Sequence, residues 1–89
     1  MRIRWTPAAA DDLEHIYEYL SLHEPHFARP TVIALREAIY SLKQFPHRGR
    51  PGVVSGTHEL LHERLPFIVA YRVKDDTVEV LHIWHPSQE

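Results

Sequence analysis

The chain has 89 residues and a formal net charge of −2, and 44% of its residues are hydrophobic and 25% are charged. This composition is that of a globular domain, and it excludes both a disordered chain and a general nucleic-acid binder, which would carry a strong positive excess. Cysteine is absent, which excludes disulfides, thiolate zinc sites and thiol nucleophiles. We predict a single domain over residues 1–89, whose small size leaves little stability margin and suggests a partner.

From the sequence we expect neither a membrane-spanning segment nor a signal peptide. No apolar run is long enough to cross a bilayer, and the first residues lead directly into a predicted helix start. We therefore expect a cytoplasmic protein that does not act at a membrane.

The N-terminal part of the chain predicts one strand and one helix. Arg2–Trp5 is a candidate strand, and Thr6-Pro7 supplies a favoured N-cap and a first helical residue with no N–H to leave unpaired. Asp11 and Asp12 place negative charge in the early turns, where the helix dipole favours it. Apolar residues recur at i, i+3, i+4 and i+7 and predict an amphipathic helix to about Leu22, namely Leu13, Ile16, Tyr17 and Leu20.

A second helix is predicted after a break at residues 23–26. Pro30 is tolerable only in the first turn of this helix, so we expect it there. Because the link between the helices is short, they should form an antiparallel hairpin. The apolar stripe of the second helix is Val32, Leu35, Ile39 and Leu42.

The C-terminal half predicts an antiparallel sheet. Residues 67–73 and 77–85 are rich in Val, Ile and aromatic residues, and the polar residues 74–76 between them predict a hairpin turn. Both faces of the first run are largely apolar, which predicts an inner strand. With the segment that begins at Gly56, the complete prediction is an α+β fold: an N-terminal strand, a two-helix antiparallel hairpin covering one sheet face, then a three-stranded antiparallel sheet.

Residues 45–52 predict a loop from their Pro and Gly content. Arg48 and Arg50 lie in this loop. Loops beside a rigid sheet often carry binding residues, so a partner contact and a merely solvated position both stay open for these arginines.

The segment from His58 to His62 matches the zinc-binding pattern H-E-x-x-H, which requires a helix. The space between Gly56 and Pro66 allows at most two helical turns. In a strand the two histidines lie on one face but about 13 Å apart, at about 3.3 Å per residue, which is too far to share a metal. We therefore interpret the segment as a strand and expect no metal site and no cofactor.

His82 and His85 are three residues apart in a predicted strand, so their side chains should point to opposite faces. His82 is expected to share its face with Val80 and Trp84. Two interpretations stay open: one histidine is satisfied in the core and the other is solvated, or they take part in chemistry.

Five segments follow one another in a recognisable order and spacing: Trp5–Leu20, Leu42–Pro51, Gly56–Leu60, Leu65–Val73 and Val78–His85. Together they span essentially the whole chain and resemble the RelE/ParE family of toxins from bacterial type II toxin–antitoxin modules. The resemblance implies a compact α+β toxin that a cognate antitoxin holds inactive by wrapping an extended and helical segment over it. The antitoxin would commonly bring a ribbon-helix-helix DNA-binding domain, so the toxin itself is not expected to bind DNA directly.

The resemblance also bears on the target. RelE-like members are ribosome-dependent mRNA endonucleases that use lysines and arginines around the scissile phosphate, whereas ParE-like members lack that set and poison DNA gyrase. Here His58 and His82 stand where the family usually has arginine, and residues 86–89 offer no tyrosine or lysine. The resemblance therefore favours the ParE-like branch, a toxin that inhibits DNA gyrase by binding and has no catalytic residues.

Two alternatives stay open. A RelE-like nuclease would use His58, His82, Arg50 and Arg64 as its acid–base and phosphate-clamping set. A decayed toxin would keep only antitoxin binding. Under the favoured interpretation, the residues that contact the target or the antitoxin are Arg48, Arg50, His58, Arg72, His82, Trp84 and His85.

Overall fold

The computed structural model describes residues 1–88 and, for the last of these, the backbone alone. It contains strand β1 (Arg2–Trp5), helices α1 (Pro7–His23) and α2 (Pro25–Tyr40), a 3-10 turn (Ser41–Lys43), strands β2 (Arg50–Pro51), β3 (Thr57–Leu61), β4 (Ile68–Lys74) and β5 (Thr77–Trp84), and a final 3-10 turn (Pro86–Gln88). The predicted order of an N-terminal strand, two helices and then antiparallel strands is confirmed. Over residues 1–88, no helix is long and apolar enough to cross a membrane.

The five strands form one sheet in the order β1-β5-β4-β3-β2. β1 runs parallel to β5, and the other neighbouring pairs are antiparallel. β4 is the middle strand, as its two apolar faces predict, and its Val69 and Tyr71 are almost fully buried. The predicted hairpin turn between β4 and β5 is confirmed, with Asp75 in the left-handed region at φ 56°.

The predicted loop at residues 45–52 contains a two-residue strand. Arg50 pairs with Glu59 and Pro51 pairs with His58, so β2 forms the edge of the sheet beside β3. Proline has no N–H to donate and is tolerated at such an edge. A strand of two residues is too short to show an alternation of apolar and polar side chains, so the sequence pattern indicates only a loop.

The helices differ from the prediction at their junction. Thr6 caps α1 as predicted, with its Oγ1 accepting the N–H of Ala9 at 3.2 Å. The break shrinks to Glu24 alone, because Pro25 takes the first position of α2. Pro30 therefore lies inside α2, and its predicted place in the first turn is wrong. Its missing N–H removes one bond to the carbonyl four residues earlier, and its ring crowds that carbonyl, as an interior proline does in any helix.

The helical hairpin covers one face of the sheet, as predicted. One cluster of buried apolar side chains holds the helices to the sheet. Each Leu, Ile or Val side chain buried between these layers contributes about 1.5–3 kcal/mol. The face that the helices leave uncovered is called the open face below. The buried cluster consists of Ala9, Leu35, Ile39, Leu42, Leu60, Val69, Tyr71, Val78, Val80 and Ile83.

A β-bulge in β5 changes which side chains share a face. Two consecutive residues of β4 pair with Val80 and His82, so Leu81 between them is an extra residue. Val80 belongs to the core cluster, whereas the shifted register places His82 and Trp84 on the open face. The prediction that His82 shares its face with Val80 is therefore wrong, because a bulge reverses the alternation of a strand.

The start of α1 satisfies the backbone around this bulge. The Thr6 hydroxyl donates to the carbonyl oxygen of Val80 at 2.8 Å. Asp12 Oδ2 accepts the N–H of Ile83 at 3.0 Å and lies 3.1 Å from His82 Nδ1. The first turn of α1 contains no acidic residue, and the dipole effect fades beyond that turn. The predicted role of Asp12 at the helix dipole is therefore wrong. Its carboxylate instead joins α1 to β5.

Two glycines are predicted to respond differently to alanine. A Cβ at Gly49 would lie 2.8 Å from the carbonyl oxygen of Glu59 and 2.8 Å from the hydroxyl of Tyr71. Gly56 has φ +84° and open space around it, so alanine there adds only backbone strain. We expect Gly49→Ala to lower the free energy of unfolding by about 2–3 kcal/mol and Gly56→Ala by about 1 kcal/mol, measured by urea denaturation. Equal losses would contradict a close approach at Gly49.

Candidate interaction surfaces

The open face carries a row of paired charges. Arg4 of β1, Glu79 of β5 and Arg72 of β4 are neighbours in register. Arg4 Nη2 lies 2.6 Å from Glu79 Oε2, and Arg72 donates from both Nε and Nη2 to Glu79 Oε1. One carboxylate therefore holds two guanidinium groups in charge-assisted contacts.

The two arginines lower the pKa of Glu79. The hydrogen bond from Arg72 is the main cause, burial partly opposes it, and the charge of Arg4 adds to it. Because the folded-state pKa lies below the ordinary value of 4.5, these pairs stabilise the fold above that pH. Their contribution is lost as the pH falls through the folded-state pKa.

We therefore expect acid to destabilise the Glu79→Gln variant less steeply than the unchanged protein. The measurement is the free energy of unfolding in urea at a series of pH values from about 7 down to about 3, a range that spans carboxylate titration. Glu63→Gln, at an exposed position, is the matched control and should keep the original slope. Parallel curves for Glu79→Gln and the unchanged protein would contradict the argument.

A second row on the open face begins with Arg50. Its Nε and Nη2 donate to Glu59 Oε1 at 3.1 and 2.9 Å, so this predicted contact residue is already held by a carboxylate. The row continues in register through Ala70 to His82. Three strand spacings, about 14 Å in all, separate Arg50 from His82.

His58 lies on the other side of the sheet, facing the helices. Its ring stacks on Tyr71, with centroids 5.2 Å apart and an angle of 19° between the planes. The ring of His47 approaches to 5.8 Å. The Nδ1 atom of His58 is buried and has no hydrogen-bond partner among the residues the structure describes. His58 therefore packs at the edge of the core and does not present its ring to the open face.

Tyr71 fixes the loop that precedes β2. Its hydroxyl donates to the carbonyl oxygen of Pro46 at 2.8 Å and accepts the N–H of Gly49 at 2.9 Å. Arg48 of the same loop donates to Ser41 Oγ at 2.8 Å. Sequence reasoning missed this role of Tyr71. The available signal is that a tyrosine in an inner strand needs a partner for its hydroxyl.

Two further predicted contact residues, Trp84 and His85, lie at one end of the sheet, together with the nuclease candidate Arg64. Trp84 closes β5, and its Nε1 is buried without a hydrogen-bond partner within the described chain. His85 follows it and packs edge-on against Phe67, with ring centroids 5.7 Å apart. Arg64 lies in the loop between β3 and β4, where its backbone N–H donates to His62 Nδ1 at 3.1 Å.

The four candidate nuclease residues are thus not brought together. Arg50 and His82 share the open face but stand far apart, His58 faces the helices, and Arg64 belongs to a separate loop. The H-E-x-x-H segment lies mostly in β3, which confirms the predicted strand. Within residues 1–88, no three His, Asp or Glu side chains come together where they could hold a metal ion.

An apolar groove runs along the helical hairpin. It consists of two adjoining clefts that share Trp5 and Arg36 and lie between β1, α1 and α2. Tyr17 and Tyr40 line it and are 46% and 64% exposed. Sequence periodicity assigned the stripe that includes Tyr17 to a buried helix face, but part of that stripe stays uncovered. We call this surface the hairpin groove; its other apolar lining residues include Ile3, Leu13 and Val32.

Comparison with known proteins identifies the family. Residues 3–89 match the family model described as ParE toxin of type II toxin–antitoxin system, parDE. The chain is 36% identical over 88 residues to a Sinorhizobium fredii protein named "Putative toxin Y4kP", an alignment that covers 99% of this chain and 91% of that protein.

Two solved structures are similar over nearly the whole chain. A chain of the chromosomal ParDE toxin–antitoxin system from P. aeruginosa superposes with a TM-score of 0.88 and 34% identity, covering 96% of this chain and 95% of that one. A chain of the RelBE2 toxin–antitoxin complex from Mycobacterium tuberculosis gives a TM-score of 0.69 and 26% identity, covering 94% and 95%. The chain therefore belongs to the ParE toxin family of type II toxin–antitoxin systems.

Proposed function

We propose that this toxin arrests growth by binding DNA gyrase, without catalysis, and that a cognate antitoxin neutralises it. The observation that supports gyrase over RNA is the placement of the candidate catalytic groups. RNA cleavage requires acid–base groups within reach of one bond and cations that converge on its phosphate. Here Glu59 and Glu79 engage arginines of the open face, and His58 packs on the opposite side of the sheet.

The antitoxin is proposed to place the apolar side of a helix in the hairpin groove. The groove has mostly apolar walls and exposed aromatic rings, which are the features that anchor an amphipathic helix. The two similar solved structures are described as a toxin–antitoxin system and a toxin–antitoxin complex. A ribbon-helix-helix domain on the antitoxin would supply the DNA affinity that a chain of net charge −2 lacks. The pair would work in the cytoplasm.

The test is a supercoiling assay with purified gyrase and relaxed plasmid. We expect the toxin to abolish supercoiling and to trap cleaved plasmid, and we expect added antitoxin to reverse both effects. Toxin unfolded by heat before the assay is the control for nonspecific inhibition. Full supercoiling at a large molar excess of folded toxin would overturn the proposed target.

Two other results identify the alternatives. Growth arrest with unaffected gyrase and with mRNA cut on ribosomes would establish the RelE-like nuclease. The His58→Ala and His82→Ala variants would then be expected to lose toxicity while staying folded. Absence of growth arrest, with antitoxin binding retained, would establish a decayed toxin.

A further inference from the structure

The hairpin that connects β2 to β3 ends in two exposed valines. Val53 is 96% exposed and Val54 is 67% exposed, whereas the core residues of the sheet are almost fully buried. Isolated apolar residues are common on protein surfaces. Two adjacent ones at the end of a hairpin are different, because together they form an apolar projection. We call residues 52–56 the β2–β3 tip.

Hydrogen bonds hold the backbone of the β2–β3 tip in place. The N–H of Gly52 donates to the carbonyl oxygen of Thr57 at 2.8 Å. The N–H and the hydroxyl of Thr57 both donate to the carbonyl oxygen of Val54, at 3.1 and 2.6 Å. Gly56 takes the left-handed conformation that closes the turn. The two valines are therefore presented by an ordered backbone, which lowers the entropy cost of burying them in a partner.

The β2–β3 tip is also uncharged and lies far from the hairpin groove. Residues 51–57 contain no charged side chain, although 25% of the whole chain is charged. Charged residues are depleted at the centres of protein interfaces, because burying them is costly. β2 stands at the opposite edge of the sheet from β1, four strand spacings or about 19 Å away. A helix seated in the groove beside β1 would leave this edge accessible.

This inference rests on the proposed gyrase target. We propose that Val53 and Val54 insert into an apolar pocket of the target protein and form the contact that anchors the toxin to it. The segment carries no cationic side chain to neutralise a phosphate, and its two exposed valines match an apolar pocket, so its partner is a protein surface and not nucleic acid. Arg50, at the base of the β2–β3 tip, is paired with Glu59 and is not available to bind a phosphate.

The test compares a Val53→Ser/Val54→Ser variant with a Leu22→Ser/Phe27→Ser control in the supercoiling assay. The control residues are also exposed, at 81% and 58%, but lie at the junction of the two helices. We expect the tip variant to need at least about tenfold more protein for half-inhibition, since two buried valines are lost. The control should stay within about twofold. Both variants should unfold at the same urea concentration as the unchanged toxin and should still be neutralised by antitoxin.

The outcomes separate this inference from the proposed function. If the unchanged toxin inhibits gyrase and the tip variant inhibits it equally, the tip inference is overturned and the gyrase target stands. If the unchanged toxin leaves gyrase unaffected, the proposed target fails and the tip inference falls with it. Sedimentation supplies a third result: a dimer of the unchanged toxin that becomes monomeric in the tip variant would assign the valines to a second copy of the chain and overturn the inference.

Discussion

Replacing Tyr71 by phenylalanine is expected to lower the free energy of unfolding by about 2–4 kcal/mol, because two backbone groups lose their partner. The ring would stay in the core, but the carbonyl of Pro46 and the N–H of Gly49 would lose the hydroxyl that joins them. Small domains are stable by only about 5–15 kcal/mol, so this change is a large fraction of the total. Urea denaturation followed by circular dichroism measures it.

Tyr19→Phe is the matched control for this substitution. The Tyr19 side chain is 58% exposed, so removal of its hydroxyl should change the free energy of unfolding by less than about 0.5 kcal/mol. A loss at Tyr71 no larger than that at Tyr19 would mean that water replaces the missing hydroxyl and that Tyr71 does not hold the loop.

The same hydroxyl makes the stability depend on alkaline pH. Burial raises the pKa of Tyr71 above its ordinary value of 10.0, although the hydrogen bond from Gly49 and the charge of Arg48 oppose the shift. The protonated folded form is favoured, so this contribution is fully present below pH 10.0 and is lost as the pH rises through the folded-state pKa. We expect a smaller alkaline loss of stability in Tyr71→Phe than in the unchanged protein.

Much of the fold could be predicted because its elements carry strong local signals. Thr6 and Pro7 indicate the start of α1, and two apolar runs around a polar break indicate β4, β5 and their turn. Two of the differences from the prediction have clear physical causes: Pro25 starts α2 earlier than expected, and one extra residue at Leu81 reverses the alternation of β5. A bulge leaves no mark in a pattern that is read with period two.

The candidate site could be predicted less well, because its properties depend on register. Sequence reasoning includes Arg50 and Arg72 among the residues that contact the target or the antitoxin. Only the pairing of the strands places Glu59 and Glu79 beside them, and only then do the arginines become ion-paired groups of the open face. His58 shows the same limit, because its stacking on Tyr71 joins residues of different strands. Contacts of this kind follow from the fold and not from local pattern.

The largest functional effect is expected at the hairpin groove, where Tyr17→Asp/Tyr40→Asp should leave a toxin that its antitoxin no longer neutralises. Truncating or charging an aromatic anchor costs about 2 kcal/mol or more at an interface, so two such changes should weaken antitoxin binding by about a hundredfold to a thousandfold. Both side chains are substantially exposed, so the fold should survive. Isothermal titration with the antitoxin measures the affinity, and growth in the presence of both proteins reports neutralisation.

Tyr19→Asp is the control for the charge itself, since Tyr19 lies on α1 and is 58% exposed but does not line the groove. We expect this variant to bind antitoxin normally. The double variant should also inhibit the target as strongly as the unchanged toxin, because the β2–β3 tip stands at the other edge of the sheet. Neutralisation of the double variant at the original antitoxin dose would show that the antitoxin binds elsewhere. If the double variant lost both its inhibition of the target and its neutralisation by antitoxin, target and antitoxin would bind one surface. That result would contradict the separation of the hairpin groove from the β2–β3 tip.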